Sequence, residues 1–207
     1  MFKGFSKLLI CGGFDPDTDT CEVINLASSA STCKNPPKFP ATVFKAIGGL
    51  GLKGNPILCG GAQNDADSNK CYSLENKKWV SSASMNSVRA FAAAAQLQDG
   101  KLFVTGGYDG SQSDLNSAEM LTEEGWESNI PSLPVTIFRH CMVTVNSTTV
   151  MVIGGYQNGP TSGKTFFFTF GEESWTEGTE LKNKREGHSC GKIFLFSAQV
   201  PPSTFLL

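Results

Sequence analysis

Leu102-Phe103-Val104-Thr105-Gly106-Gly107 is a short apolar run closed by paired glycines, and the chain repeats the device. Leu8-Leu9-Ile10-Cys11 ends in Gly12-Gly13, Pro56-Ile57-Leu58-Cys59 in Gly60-Gly61, and Val150-Met151-Val152-Ile153 in Gly154-Gly155. The first glycines of the doublets, Gly12, Gly60, Gly106 and Gly154, are almost evenly spaced. A steady interval of this size marks an array of units, each too small to bury its own apolar face and completed by its neighbours. Each run is a buried strand bounded by glycine.

Other residues keep step with the doublets. Trp79, Trp126 and Trp175 follow the second glycine at an almost constant distance, one position longer in each successive unit. Six or seven residues further stand Met85, Leu133 and Leu181, and ten to thirteen further stand the cations Arg89, Arg139 and Arg185, each followed by an apolar or small-residue strand. The first unit keeps the order with Cys33, Phe39 and Lys45. Gly48-Gly49 is off register and reads as a turn pair without repeat meaning. His140 and His188 lie one and three residues after their arginines and read as inequivalent.

Apolar strand, Gly-Gly, tryptophan and arginine in this order resemble the kelch repeat over almost the whole chain. The resemblance implies an all-β fold, a kelch-type β-propeller of four-stranded antiparallel blades. The repeats fall at about residues 1–40, 41–87, 88–134 and 135–184, with a truncated fifth over 185–207, in a single partial propeller. The glycines would allow positive φ and close backbone approach. Each tryptophan would plug the space between neighbouring blades, and each arginine would lie at a blade junction. The tyrosine expected seven residues before the tryptophan is kept at Tyr72, becomes Phe168 in the last unit and is replaced by Glu119 in the third. Rings of this family close with five to seven blades, so the expected ring is incomplete, and missing blades or a second copy would complete it.

Composition suits an ordinary globular chain, with 40% hydrophobic residues, 22 glycines and a charged share of 17% that is below the usual one. A net charge of −2 without a basic cluster excludes a nucleic-acid footprint. The longest aromatic run, Thr165 to Phe170, is too short to span a bilayer.

Cys21 and Cys33 are twelve residues apart, as are Cys59 and Cys71, with turn-rich sequence between predicted antiparallel strands. Each pair is read as a disulfide within a hairpin. Cys141 and Cys190 read as buried thiols, and Cys11 is left without a mate. Asn146-Ser147-Thr148 is a glycan acceptor sequence. These features favour an extracellular protein, although residues 1–13 have no signal-peptide pattern; a cytoplasmic protein with free thiols is the alternative.

Sharper motifs fail on inspection. Gly159 to Thr165 imitates a phosphate-binding loop but has three residues between its glycines where four are needed, and an aromatic strand follows it. Asp15 to Asp19 imitates a calcium loop, but Thr20 and Leu26 replace the glycine and glutamate that the loop requires. The alanine run from Phe91 to Ala95 reads as an innermost strand. The two histidines lack a third ligand at recognisable spacing, so no metal or other cofactor is expected. A galactose oxidase-like copper enzyme is the catalytic alternative, but only Tyr72, Tyr108 and Tyr156 are available for its tyrosines.

The expected function is non-catalytic binding of a protein or glycan. Its surface would be the polar, mutually different loops after the doublets, residues 14–20, 62–69, 108–116 and 156–164. An intracellular kelch adaptor for ubiquitin ligases or actin is the second reading.

Overall fold

The computed structural model describes residues 7–14, 16, 18–25, 36–111, 113–157 and 159–192. Among them all helical or strand structure is β, and every strand pair is antiparallel. Sheet 1 is the hairpin of β1 (Lys7–Cys11) and β2 (Cys21–Asn25). After the short β3 (Val43–Phe44) comes sheet 2, which starts with β4 (Ile47–Leu50) and β5 (Pro56–Cys59). The two-residue strands β6 (Ala62–Gln63) and β7 (Ala66–Asp67) lead to its last members, β8 (Cys71–Glu75) and β9 (Lys78–Ser82). Sheet 3 is β10 (Ala93–Gln96), β11 (Leu102–Thr105), β12 (Ala118–Thr122) and β13 (Gly125–Glu127). β14 (Ile137–Phe138) precedes sheet 4, built of β15 (Cys141–Thr144) and β16 (Thr149–Ile153) and, after β17 (Tyr156–Gln157), β18 (Thr165–Thr169) and β19 (Thr176–Glu177). Sheets 2, 3 and 4 each have four strands in chain order, once the short ladder strands are set aside.

Local sequence sets the turns. Asn64-Asp65 between β6 and β7, and Asn76-Lys77 between β8 and β9, both take positive φ at both positions, as a two-residue hairpin turn requires. The alanine run does form the first strand of sheet 3. Gly48-Gly49, read as a turn, instead lies inside β4, where a Cβ on Gly49 would fall 2.5 Å from Leu102 of sheet 3. Glycine is there because β4 passes close to the neighbouring sheet.

Each pair of sheets encloses its own core. Phe39, Val43, Leu9, Tyr72 and Trp79 fill the space between sheets 1 and 2. Ile57, Met85, Leu102, Val104 and Trp126 fill the next, and Phe103, Leu133, Val152, Phe166, Phe168 and Trp175 the third. β11 is buried on both faces, which explains why Leu102-Phe103-Val104 is a continuous apolar run and does not alternate. Every indole N–H donates to a carbonyl in the segment entering from the preceding sheet: Trp79 to Pro37, Trp126 to Ala83 and Trp175 to Pro131, at 3.1, 3.0 and 2.8 Å. The tryptophans therefore tie each sheet to the one before it.

The doublets tie each sheet to the one after. The N–H of Gly13, Gly61, Gly107 and Gly155 donates to the carbonyl of Val43, Arg89, Ile137 and Arg185 respectively. A Cβ on the first glycine, Gly12, Gly60, Gly106 or Gly154, would fall 2.1, 2.4, 2.4 or 2.7 Å from the same carbonyl oxygen. All eight glycines have positive φ. A side chain is excluded on both counts.

These bonds correct the arginine column. Arg89 and Arg185 share one structural position with Val43 and Ile137, whereas Arg139 belongs two residues on, with Lys45, Phe91 and Gly187. One extra residue between Trp126 and Ile137 produced the false alignment. Strand register likewise aligns Phe166, not Phe168, with Tyr72 and Glu119, because Leu58, Val104 and Val152 are their cross-strand partners.

The disulfides are Cys11–Cys21, Cys59–Cys71 and Cys141–Cys190. The expected Cys59–Cys71 pair is present. The Cys21–Cys33 pairing is overturned: Cys21 opens β2 directly opposite Cys11, at a Cα separation of 4.1 Å, the same place in its hairpin that Cys71 has opposite Cys59. An equal sequence interval was not an equal place in the sheet. Cys33 lies outside the described residues. Cys141 and Cys190, read as thiols, are bridged and pin the segment after sheet 4 to its first strand.

Candidate functional site

Lys45, Phe91, Arg139 and Gly187 all have φ between 53° and 61°. Their backbones form a chain of hydrogen bonds, with the N–H of Phe91 donating to Lys45, that of Arg139 to Phe91 and that of Gly187 to Arg139, at 3.0, 2.9 and 2.7 Å. Successive sheets are joined by this thread just before their first strands, and those first strands also touch, β4 against β10 and β10 against β15. Beside the thread, β3 pairs with β6, Ala90 with Tyr108 and β14 with β17, so each post-doublet loop is stitched to the approach of its own sheet.

The side chains of the thread make a belt of alternating cations and rings. Lys45 Nζ lies 4.5 Å from the centre of the Phe44 ring and 4.7 Å from that of Phe91. Arg139 Cζ lies 4.6 Å from Phe91 and 5.6 Å from Phe138. Phe138 packs on Tyr156 at 5.0 Å, and the exposed Phe14 packs on Phe44 at 5.4 Å. Arg139 is also paired with Glu186 at 3.1 Å, and Glu186 accepts a hydrogen bond from the Thr161 hydroxyl. Lys45, Phe91 and Arg139 border two adjoining clefts. One, of about 540 Å³, also has His140, His188 and Glu186; the other, of about 830 Å³, also has Leu9, Ile10 and Phe14. Cations beside aromatic faces can hold an anionic or hydrogen-bonding ligand against a flat apolar surface.

His140 and His188 occupy the same position in successive repeats, as far apart as Gly106 and Gly154, and Ala46 and Ala92 hold that position in the earlier ones; the reading of them as inequivalent inherited the arginine misalignment. His140 Nε2 is hydrogen-bonded to the Thr105 hydroxyl at 2.9 Å, while its Nδ1 has no partner among the described residues. Burial above all, then the nearby His188 and Arg89, pushes the His140 imidazole down to about 3. His188 is lowered as well, by burial and then by Arg185. Both rings are therefore neutral near pH 7. Among the described residues no group of three His, Cys, Asp or Glu could hold a metal.

Arg89 sits apart from the belt, fully buried between sheets 2 and 3. It donates to Glu119 through Nε at 3.0 Å, to the Gly106 and Ser117 carbonyls, and to the Ser117 hydroxyl. Glu119 also accepts the backbone N–H groups of Asn86 and Ser87. Burial lowers the Arg89 pKa, and Glu119 opposes that shift. Arg185, its counterpart, is exposed beyond sheet 4. Asn146 is exposed in the turn between β15 and β16, its side-chain oxygen accepting the N–H and hydroxyl of Thr148. The imitation phosphate loop runs from β17 into β18, and its Lys164 pairs with Glu177. Asp15 and Asp17 of the imitation calcium loop lie outside the described residues, and Asp19 pairs with Lys38.

The belt was not read from the sequence. Aligning on the doublets alone would have placed Lys45, Phe91 and Arg139 together, because they are spaced as Gly60, Gly106 and Gly154 are.

No helix of the described residues is long and apolar enough to cross a membrane. Neither a family model nor a curated protein matches the chain. Solved structures do match its fold, among them the structure of YjhT, with a TM-score of 0.75 at 12% sequence identity. The likeness covers 87% of this chain and 64% of that one, so the chain spans less than two thirds of that neighbour, with which it shares a fold.

Proposed function

We propose that the protein is a kelch-type β-propeller scaffold, with sheets 2 to 4 as successive four-stranded blades of an incomplete ring, and that it binds a protein or glycan without catalysis. The glycine doublets, the tryptophan ties and the four-strand order support the blade reading. The observation that carries the binding reading is the Lys45–Phe91–Arg139 belt, where cations and rings stand side by side on a frame held by main-chain bonds. The neighbouring loops 62–69 and 108–116 would add specificity. An extracellular setting fits three intrachain disulfides, and Asn146 is then a candidate glycan acceptor on an exposed turn.

Array binding tests this, with the folded protein probed against immobilised glycans and extracellular protein domains. Lys45→Asn and Arg139→Asn suit the purpose, since asparagine tolerates positive φ. Each should weaken a captured ligand by about tenfold, the scale of one cation–aromatic contact made on a ligand. Ligands bound equally well by the double variant would refute the assignment of this face.

A further inference from the structure

Each cation of the belt lies over two rings, Lys45 over Phe44 and Phe91, Arg139 over Phe91 and Phe138. A ring face attracts a cation without cancelling its charge, so both are held in place and stay open to an anion. Lys45 has no carboxylate partner among the described residues, and Arg139 has one, Glu186, through Nη1 alone. At 4.7 and 4.6 Å from the centre of the same Phe91 ring, the two cations stand about 9 Å apart at most. Of the described residues lining the two clefts Glu186 is the sole carboxylate. Asp109, next to Tyr108, is turned into its own loop by Ser111 and Ser113.

The main chain at this face is already occupied. Amides and carbonyls of the thread bond one another, Ala90 bonds Tyr108, and β3 and β14 bond β6 and β17. An extended peptide therefore finds no free ladder to join, and recognition falls to side chains. These supply charge and, beside it, a run of partly exposed rings: Phe138 lies 6.2 Å from Phe91, 6.4 Å from Tyr108 and 5.0 Å from Tyr156, the last two bearing hydroxyls. Lys45, Phe91 and Arg139 carry their side chains on left-handed backbone, which glycine, as at Gly187, takes without strain. Strain of that kind gathers at ligand-binding positions.

We infer that the belt takes an acidic glycan, whose sulfate or carboxylate groups on neighbouring sugars bridge Lys45 and Arg139 while its hydroxyls reach Tyr108 and Tyr156. Glu186 competes with those groups for Arg139. The inference names the ligand class of the binding face proposed above and rests on that reading.

Isothermal titration calorimetry of the folded chain tests it with four probes: a heparin hexasaccharide, which bears sulfate and carboxylate, a hyaluronan hexasaccharide, which bears carboxylate alone, neutral chitohexaose, and the peptide hexaglutamate. At least one acidic hexasaccharide should bind, and the neutral glycan and the peptide should bind at least about tenfold more weakly. Raising the salt from about 0.05 to about 0.5 M should weaken the acidic glycan at least about tenfold. Glu186→Gln, which frees Arg139, should tighten it about two- to fivefold, a gain that a merely structural Glu186 does not give. Phe91→Gly, which keeps both charges but not the ring that positions them, should weaken it about two- to fivefold. The inference falls if neither acidic hexasaccharide binds, if chitohexaose or hexaglutamate binds as tightly, or if Glu186→Gln weakens binding in a chain still folded by circular dichroism. A protein or neutral glycan captured on the arrays and lost when Lys45→Asn and Arg139→Asn are combined would sink it too, while leaving the proposed binding face in place.

Discussion

Arg89 and Glu119 form a 3.0 Å ion pair with neither side chain exposed to solvent. Removing one partner strands the other charge in the core, so Glu119→Gln or Arg89→Met should lower the unfolding free energy by about 3–5 kcal/mol. Replacing three of the residues by their counterparts at the next junction, Pro134, Ile137 and Phe166, as Asn86→Pro with Arg89→Ile and Glu119→Phe, should recover most of the loss. Urea denaturation of the three variants decides it; a triple variant as unstable as the single ones would show that the junctions are not interchangeable.

His140 makes the fold acid-sensitive. Its native pKa of about 3 lies below the ordinary histidine value of about 6.5. Between those values the unfolded chain binds a proton that the native chain does not, so stability is complete above about pH 6.5 and declines as pH falls towards 3. His188 acts in the same direction. The slope from His140 is at most about 1.4 kcal/mol per pH unit. His140→Ala, which copies Ala46 and Ala92, should shrink the difference between urea midpoints at pH 7.5 and pH 5, and an unchanged difference would count against burial of a neutral ring.

Trp126 ties sheet 3 to the segment leaving sheet 2. Trp126→Phe keeps a ring but loses the bond to the Ala83 carbonyl, for a cost of about 1 kcal/mol, whereas Trp126→Ala should cost about 3–5 kcal/mol. Trp79→Ala should cost less, because that indole is only partly buried. Equal losses for Trp126→Ala and Trp79→Ala in chemical denaturation would mean that these two indoles are not graded by burial.

Non-reducing peptide mapping should recover Cys11 linked to Cys21, Cys59 to Cys71 and Cys141 to Cys190. Replacing Cys59 and Cys71 by alanine should cost about 2–4 kcal/mol, the usual range for a native bridge. A Cys21–Cys33 peptide would contradict the fold of sheet 1.

The sequence carried the repeat because glycines that admit no Cβ cannot drift: each doublet meets a carbonyl of the next junction. Trp79, Trp126 and Trp175 were legible for the same reason, each having one carbonyl to reach. Positions marked by charge misled. Arg139 and Arg89 differ by two residues in the repeat, and a count from tryptophan could not see the residue inserted before Ile137. That slip hid the equivalence of His140 and His188 and the belt built on Lys45 and Phe91. Glu119 looked like a lapsed tyrosine, whereas it answers Arg89 across a sheet boundary, a relation between distant residues that no local pattern records.

The thread from Lys45 through Phe91 and Arg139 to Gly187 uses only amide and carbonyl groups. A lysine, a phenylalanine, an arginine and a glycine all serve it equally, provided each accepts a left-handed turn of the backbone. Residues at the heart of this assembly are thus released from the duty of holding it together, and descendants of the chain can exchange them for new specificities while the architecture stands.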